Sequence, residues 1–116
     1  MKFGHIELFV KDPEQSKTFY QDVLGFEVTV VQDDQFVWLK SGDVEILLRP
    51  GQNESHAHDY AQAASGLVLY TSDVGAARTA LEARGLEFKG TDGSDSCLTF
   101  TDPDGHWFQL VNPDAH

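Results

Sequence analysis

Apolar and polar positions alternate in FGHIELFV, residues 3–10, with the period of two that sends successive side chains to opposite faces of a strand. Ile6 and Leu8 fall on one face, His5 and Glu7 on the other. The period then changes. In DPEQSKTFYQDVLG the residues Phe19, Tyr20, Val23 and Leu24 recur at helical spacing. Asp12 is placed to cap this helix, Pro13 suits its first turn, Gln15 completes a capping box and Gly25 stops it. FEVTVV, QFVWLK and VEILLR are strand-like again, separated by hairpin-type turns at QDD and SGD.

A polar stretch, GQNESHAHDYAQAAS at residues 51–65, interrupts the pattern and is about as long as connections get in compact domains. Then the sequence of periods restarts. GLVLYT reads as a strand. A helix capped by Ser72 or Asp73 carries Val74, Ala77 and Leu81 and ends at Gly85. LEFKG, SCLTFT and HWFQLV read as three further strands. The order is βαβββ, connection, βαβββ. The halves echo each other in letters too. LGFEV at 24–28 matches RGLEF at 84–88, and Gly42 to Pro50 matches Gly105 to Pro113 in spacing. The repeat period of about 60 residues is too long for a solenoid and suits two copies of one module. The predicted fold is α+β: two βαβββ modules form half-barrel sheets around a central cavity, where small ligands bind. Residues 1–116 make one domain, with a first module of about 1–50, a linker at 51–65 and a second module of about 66–116.

The last predicted strand poses a chemical question. In DPDGHWFQLVNP the turn DPDG is followed by alternation, with Phe108 and Leu110 on one face and Trp107, Gln109 and Val111 on the other. An amide set between a Trp and a Val must meet water, a partner side chain, a metal or a ligand.

Composition narrows the setting. A single cysteine, Cys97, forms no internal disulfide and suits a reducing cytoplasm. No apolar run approaches the roughly 20 residues of a membrane span, and MKFGHIELF lacks the apolar core of a secretory signal. The net charge of −11, from 19 acidic and 8 basic residues, repels nucleic acid and anionic membranes. Such a charge favours cationic partners, or simply solubility, as in a saline habitat.

The paired modules, GHIELFVKDPEQSKTFYQDVLGFEV at the front with its FYxxxLGF element, and FTDPDGHWFQL at the back together resemble the vicinal-oxygen-chelate superfamily. That superfamily includes glyoxalase I, extradiol dioxygenases, fosfomycin-resistance transferases and bleomycin-resistance proteins. The resemblance spans essentially the whole chain and specifies a fold rather than one function. Metal enzymes of the superfamily take ligands from the first, fourth, fifth and last strands. By that resemblance the first ligand falls on His5, the fifth-strand ligand on Gly66, the last-strand Glu on Gln109, and the fourth-strand ligand on Glu45 or Ile46. One imidazole, one carboxylate and one amide fall short of what a divalent ion demands, so no metal and no cofactor is expected.

Pattern and resemblance together turn a set of side chains into the cavity: His5 and Glu7, Trp38, Glu45 and Arg49, then Lys89, Cys97, Thr99, Trp107 and Gln109. Each has a plainer role available. Glu7 can pair with Arg49 or Lys89, His5 can be a satisfied core histidine, the tryptophans can be core aromatics, and Cys97 can be a small buried hydrophobe. In the polar stretch, His56, His58 and Asp59 form an H-x-H loop whose ordinary role is a solvated connection and whose alternative is a metal ligand.

As a set, these residues make a small-molecule pocket, with aromatic walls for a flat ligand and carboxylates for a cationic group. The expected function is a metal-independent binding protein, a cytoplasmic homodimer that sequesters an aromatic or cationic compound. The alternative is a glyoxalase-like lyase or isomerase with Glu7 or Glu45 as general base, its pKa raised by burial. Gln109 is expected to point into the pocket and to hydrogen-bond a ligand, His5 or water.

Overall fold

The computed structural model describes residues 1–52 and 56–115. The chain divides into two compact units, Met1–Asn53 and Glu54–His116. Residues 53–55 of the polar stretch lie outside the described residues. None of the described helices is long and apolar enough to cross a membrane.

The first unit runs β1 (Ile6–Val10), α1 (Pro13–Thr18), β2 (Glu27–Gln32), β3 (Phe36–Ser41) and β4 (Val44–Pro50). Asp12 caps α1 as expected, its Oδ1 accepting from the backbone N–H groups of Glu14 (3.1 Å) and Gln15 (3.3 Å). The helix does not continue as a regular α-helix to Leu24. It widens into a π-helical turn over Phe19–Val23, and Gly25 at φ +76° then ends it. The extra residue in that turn is invisible to a 3.6-residue pattern.

The sheet has the order β1-β4-β3-β2, with β1 parallel to β4 and the other pairs antiparallel. Register explains its two faces. Leu8, Val10, Val37, Leu39, Ile46 and Leu48 share the face that α1 packs against, and all are buried. The opposite face carries rows set by the same register: Glu7, Leu47 and Trp38 in one, Phe9, Arg49 and Phe36 in the next.

The turn between β2 and β3 places Asp33 (φ +53°) and Asp34 (φ +56°) in the left-handed region, closed by Gln35 N–H to the Gln32 carbonyl at 3.0 Å. A two-residue turn with both central φ positive favours glycine at its second position, because side chains crowd the backbone there. Asp34→Gly is therefore expected to stabilise the protein by about 0.5–1 kcal/mol, read as a higher urea midpoint at unchanged slope.

The second unit runs from a 3-10 turn (Tyr60–Gln62) through β5 (Leu67–Tyr70), α2 (Val74–Ala83), β6 (Cys97–Thr101) and β7 (Trp107–Val111). The cap of α2 is Asp73 rather than Ser72: its Oδ1 accepts from Ala76 N–H at 2.9 Å. LEFKG, expected as a strand, forms no continuous ladder. It meets β6 through Lys89 N–H to the Thr99 carbonyl (2.7 Å) and Thr99 N–H to the Gly90 carbonyl (3.1 Å), and an isolated bridge joins Thr91 to Leu98. Gly90, at φ +87°, leaves the extended conformation and interrupts the ladder between Lys89 and Thr91.

The sheet order is β5-β7-β6, with β7 parallel to β5 and antiparallel to β6. As the central strand, β7 is buried at all five positions. Phe100 and Phe108 are cross-strand partners and stack at 5.1 Å and 7°, with Phe88 edge-on to Phe100 at 5.7 Å. The fold is thus mixed α+β, with two α-helices and two small sheets among the described residues, as its pattern predicted.

Candidate functional site

The helix-free face of the first sheet carries five of the residues picked out from sequence, and four of them, His5, Glu7, Trp38 and Arg49, meet there. Glu7 splits its two carboxylate oxygens: Oε1 accepts from Arg49 Nη1 at 2.9 Å, and Oε2 meets His5 Nε2 at 2.7 Å. His5 lies just before β1, and its ring stands edge-on to Trp38 with centroids 4.7 Å apart. Trp38 donates its indole N–H to Gln32 Oε1 at 3.3 Å. The Arg49 guanidinium lies over Phe9 (5.2 Å) and Phe36 (5.7 Å), which flank it in the same sheet row. These groups remain open to water, with Glu7 and His5 side chains 34% exposed and Arg49 38%.

Register decides the electrostatics. Of the two cations available to Glu7 from sequence, Arg49 is the partner; Lys89 instead donates to Thr101 Oγ1 at 2.8 Å in the second unit. The expectation that burial raises the Glu7 pKa is corrected. The Arg49 hydrogen bond, and after it that of His5, hold the carboxyl below its ordinary value and outweigh the small opposing effect of desolvation. Because Glu7 gives only one oxygen to Arg49, the guanidinium is not gripped bidentately. Its Nε–H is buried with no hydrogen-bond acceptor among the described residues. Glu45 lies exposed on this face, cross-strand from Lys40, whereas Ile46, the other fourth-strand alternative, is buried on the helix side.

In the second unit Cys97, Thr99, Trp107 and Gln109 share one face of β6 and β7 and are all buried. Thr99 Oγ1 donates to the Lys89 carbonyl at 2.8 Å. Trp107 donates its indole N–H to the Ala57 carbonyl at 3.1 Å, and Tyr60 stands edge-on to its ring. Cys97 is 2% exposed, with the Ser94 hydroxyl 3.8 Å from its sulfur, the setting of a small buried hydrophobe. Gln109 is accounted for by a residue the strand pattern does not offer: its Nε2 donates to Asp92 Oδ2 at 3.3 Å.

At Gly66, where the resemblance puts a metal ligand, the space of a side chain is filled by the Tyr60 hydroxyl, which a Cβ would strike. Tyr60 belongs to the polar stretch, so part of that stretch closes over Trp107 and Gly66. His56 and His58 are both exposed, and Asp59 caps the 3-10 turn through Gln62 N–H at 3.1 Å. Among the described residues no three His, Cys, Asp or Glu side chains gather into a metal-binding group.

His106 is a further residue that the strand pattern does not mark. Its Nδ1 lies 2.7 Å from Oδ2 of Asp102, whose side chain is fully buried, while Oδ1 accepts from the backbone N–H groups of Asp104 (3.0 Å) and His106 (2.8 Å). Burial pushes His106 down, but the hydrogen bond and charge of Asp102, aided by Asp104, raise it on balance above its ordinary 6.5. The H directly after DPDG was the available signal.

The sequence profile of the Glyoxalase/Bleomycin resistance protein/Dioxygenase superfamily matches residues 2–110. A lactoylglutathione lyase from Pseudomonas putida is 28% identical, covering 96% of this chain and 84% of its own. The crystal structure of a lactoylglutathione lyase from Agrobacterium tumefaciens superposes with a TM-score of 0.73 at 21% identity, over 98% of this chain and 95% of that one. TnmS3, an antibiotic binding protein from Streptomyces sp. CB03234, superposes with a TM-score of 0.70 at 25% identity, over 97% and 98%.

Proposed function

The chain belongs to the Glyoxalase/Bleomycin resistance protein/Dioxygenase superfamily, and on that premise we propose that it is a metal-independent binding protein, a cytoplasmic homodimer that sequesters a flat aromatic compound. The observation that carries this reading is the open face of the first sheet, where Trp38 and His5 stand beside the Glu7–Arg49 pair. Of the two ligand types the sequence suggested, this face favours the aromatic one. The cation seat between Phe9 and Phe36 already holds Arg49, and both oxygens of Glu7 are engaged. An exposed ion pair of this kind contributes little stability, so its place among aromatics speaks for recognition rather than folding. The likeness to an antibiotic binding protein at 25% identity supports the same reading.

Two measurements test it. Protein purified without chelators is expected to carry no stoichiometric metal; one equivalent of Zn, Ni, Fe or Mn lost in His5→Ala would sink the metal-independent part. A flat probe with no proton to donate, 2-methoxynaphthalene, is expected to bind and to bind about tenfold more weakly to Trp38→Ala, the worth of one aromatic contact.

A second reading, a glyoxalase-like lyase or isomerase, is favoured by the Pseudomonas putida relative, which is 28% identical over 96% of this chain. The lowered Glu7 makes a weak base, so Glu45 becomes the candidate general base. Turnover of the methylglyoxal–glutathione hemithioacetal, abolished in Glu45→Gln, would establish this reading over sequestration.

A further inference from the structure

The His5–Glu7–Arg49 chain has a direction. A carboxylate only accepts hydrogen bonds, and Arg49 keeps Glu7 in that form. The ring nitrogen that meets Glu7 Oε2 at 2.7 Å must therefore be the one carrying hydrogen. In the neutral imidazole that leaves the lone pair on Nδ1. Among the described residues Glu7 is the hydrogen-bond partner of His5, and Trp38 is its ring contact. The arrangement also has a cost. Glu7 turns one oxygen to His5, and Arg49 goes without the bidentate grip while its buried Nε–H lacks an acceptor. A carboxylate serving only to neutralise Arg49 would present both oxygens to it.

We infer that His5 Nδ1 is a preset hydrogen-bond acceptor on the open face of the first sheet, and that the ligand class it selects is a flat aromatic bearing a hydroxyl, a phenol or naphthol. The inference rests on the binding reading above and adds the chemistry of selection. Trp38 supplies the surface for the ring, His5 Nδ1 beside it accepts a hydrogen bond from the ring hydroxyl, and Glu7 and Arg49 are positioning residues that fix the tautomer.

The test has two parts on the full chain. Long-range proton–nitrogen correlation spectra of the imidazole rings, taken in alkali, are expected to show a protonated Nε2 and a pyridine-type Nδ1 for His5. Glu7→Gln is expected to mix the two tautomers, a change that a merely structural role for Glu7 would not produce. Affinities are then compared for 2-naphthol and 2-methoxynaphthalene, in which a methyl group replaces the hydroxyl proton. The naphthol is expected to bind about tenfold more tightly, the worth of one hydrogen bond, and to shift the Nδ1 resonance. Glu7→Gln should bring the ratio of the two affinities toward one. A hydrogen on Nδ1 in the free protein, or equal affinity for both compounds, overturns the inference while leaving the binding reading standing. Binding of neither compound overturns the binding reading and the ligand class with it.

Discussion

Asp102→Asn is expected to destabilise the protein by about 2–3 kcal/mol at pH 5.5 and by much less in alkali, a gap set by His106. The Asp102 side chain is fully buried, and His106 is only 14% exposed, so solvent screens the contact little. The sign follows from the direction of the shift. His106 has a folded pKa above its ordinary 6.5, so the stability it contributes is fully present below 6.5 and is lost as pH rises through the folded value. In the variant, Asn Oδ1 can still accept from the backbone N–H groups of Asp104 and His106. Its amide nitrogen then faces His106 Nδ1. That contact is tolerable to a neutral ring, which can accept there, and repulsive to a protonated ring, which cannot. Urea unfolding of both proteins from pH 5.5 to 9 measures this, since the titrations of all other groups cancel in the difference. A gap that stays flat across that range would show that the His106–Asp102 contact carries no linkage. His106→Gln should erase the same slope, because it removes the titrating group.

The turn that holds this pair shows what a sequence discloses and what it withholds. DPDG announces itself by composition, and Gly105, at φ +88°, has the conformation that the turn demands. The caps at Asp12 and Asp73 and the stop at Gly25 are local too: each satisfies orphan backbone groups within a few residues. Alternation likewise told which face each strand residue occupies, because that depends only on parity. It could not tell which residue stands opposite. The Glu7–Arg49 pair depends on the parallel pairing of β1 with β4, segments about 40 residues apart, and parity allowed Lys89 equally well. Asp92 beneath Gln109, Tyr60 over Gly66 and Ala57 at Trp107 come from irregular backbone with no period to read. The burial-raised Glu7 failed for the same reason. Its neighbours, not its own segment, set its charge.

Gln109→Glu is the sharper test of what that position does, because the change is isosteric and replaces only the N–H₂ group. It installs the residue that the metal enzymes of the superfamily carry there by resemblance. In this chain the replaced Nε2 is the atom that donates to Asp92 Oδ2 at 3.3 Å, and Gln109 is 7% exposed. A glutamate would set one carboxylate oxygen against another at hydrogen-bond distance, where the two negative charges repel. The expected cost is about 1–3 kcal/mol at pH 7, from a lost hydrogen bond and an uncompensated buried charge. Acid should relieve it, since a single proton shared between the introduced carboxylate and Asp92 restores a donor to the contact. The loss in the melting temperature, relative to the parent, is therefore expected to shrink as pH falls toward 4. Asp92→Asn in the same background should recover most of it at pH 7, because the asparagine amide can donate to the new carboxylate. A Gln109→Glu protein as stable as the parent at pH 7 would mean that Asp92 swings away at no cost, and that the amide is kept at 109 for something other than this hydrogen bond.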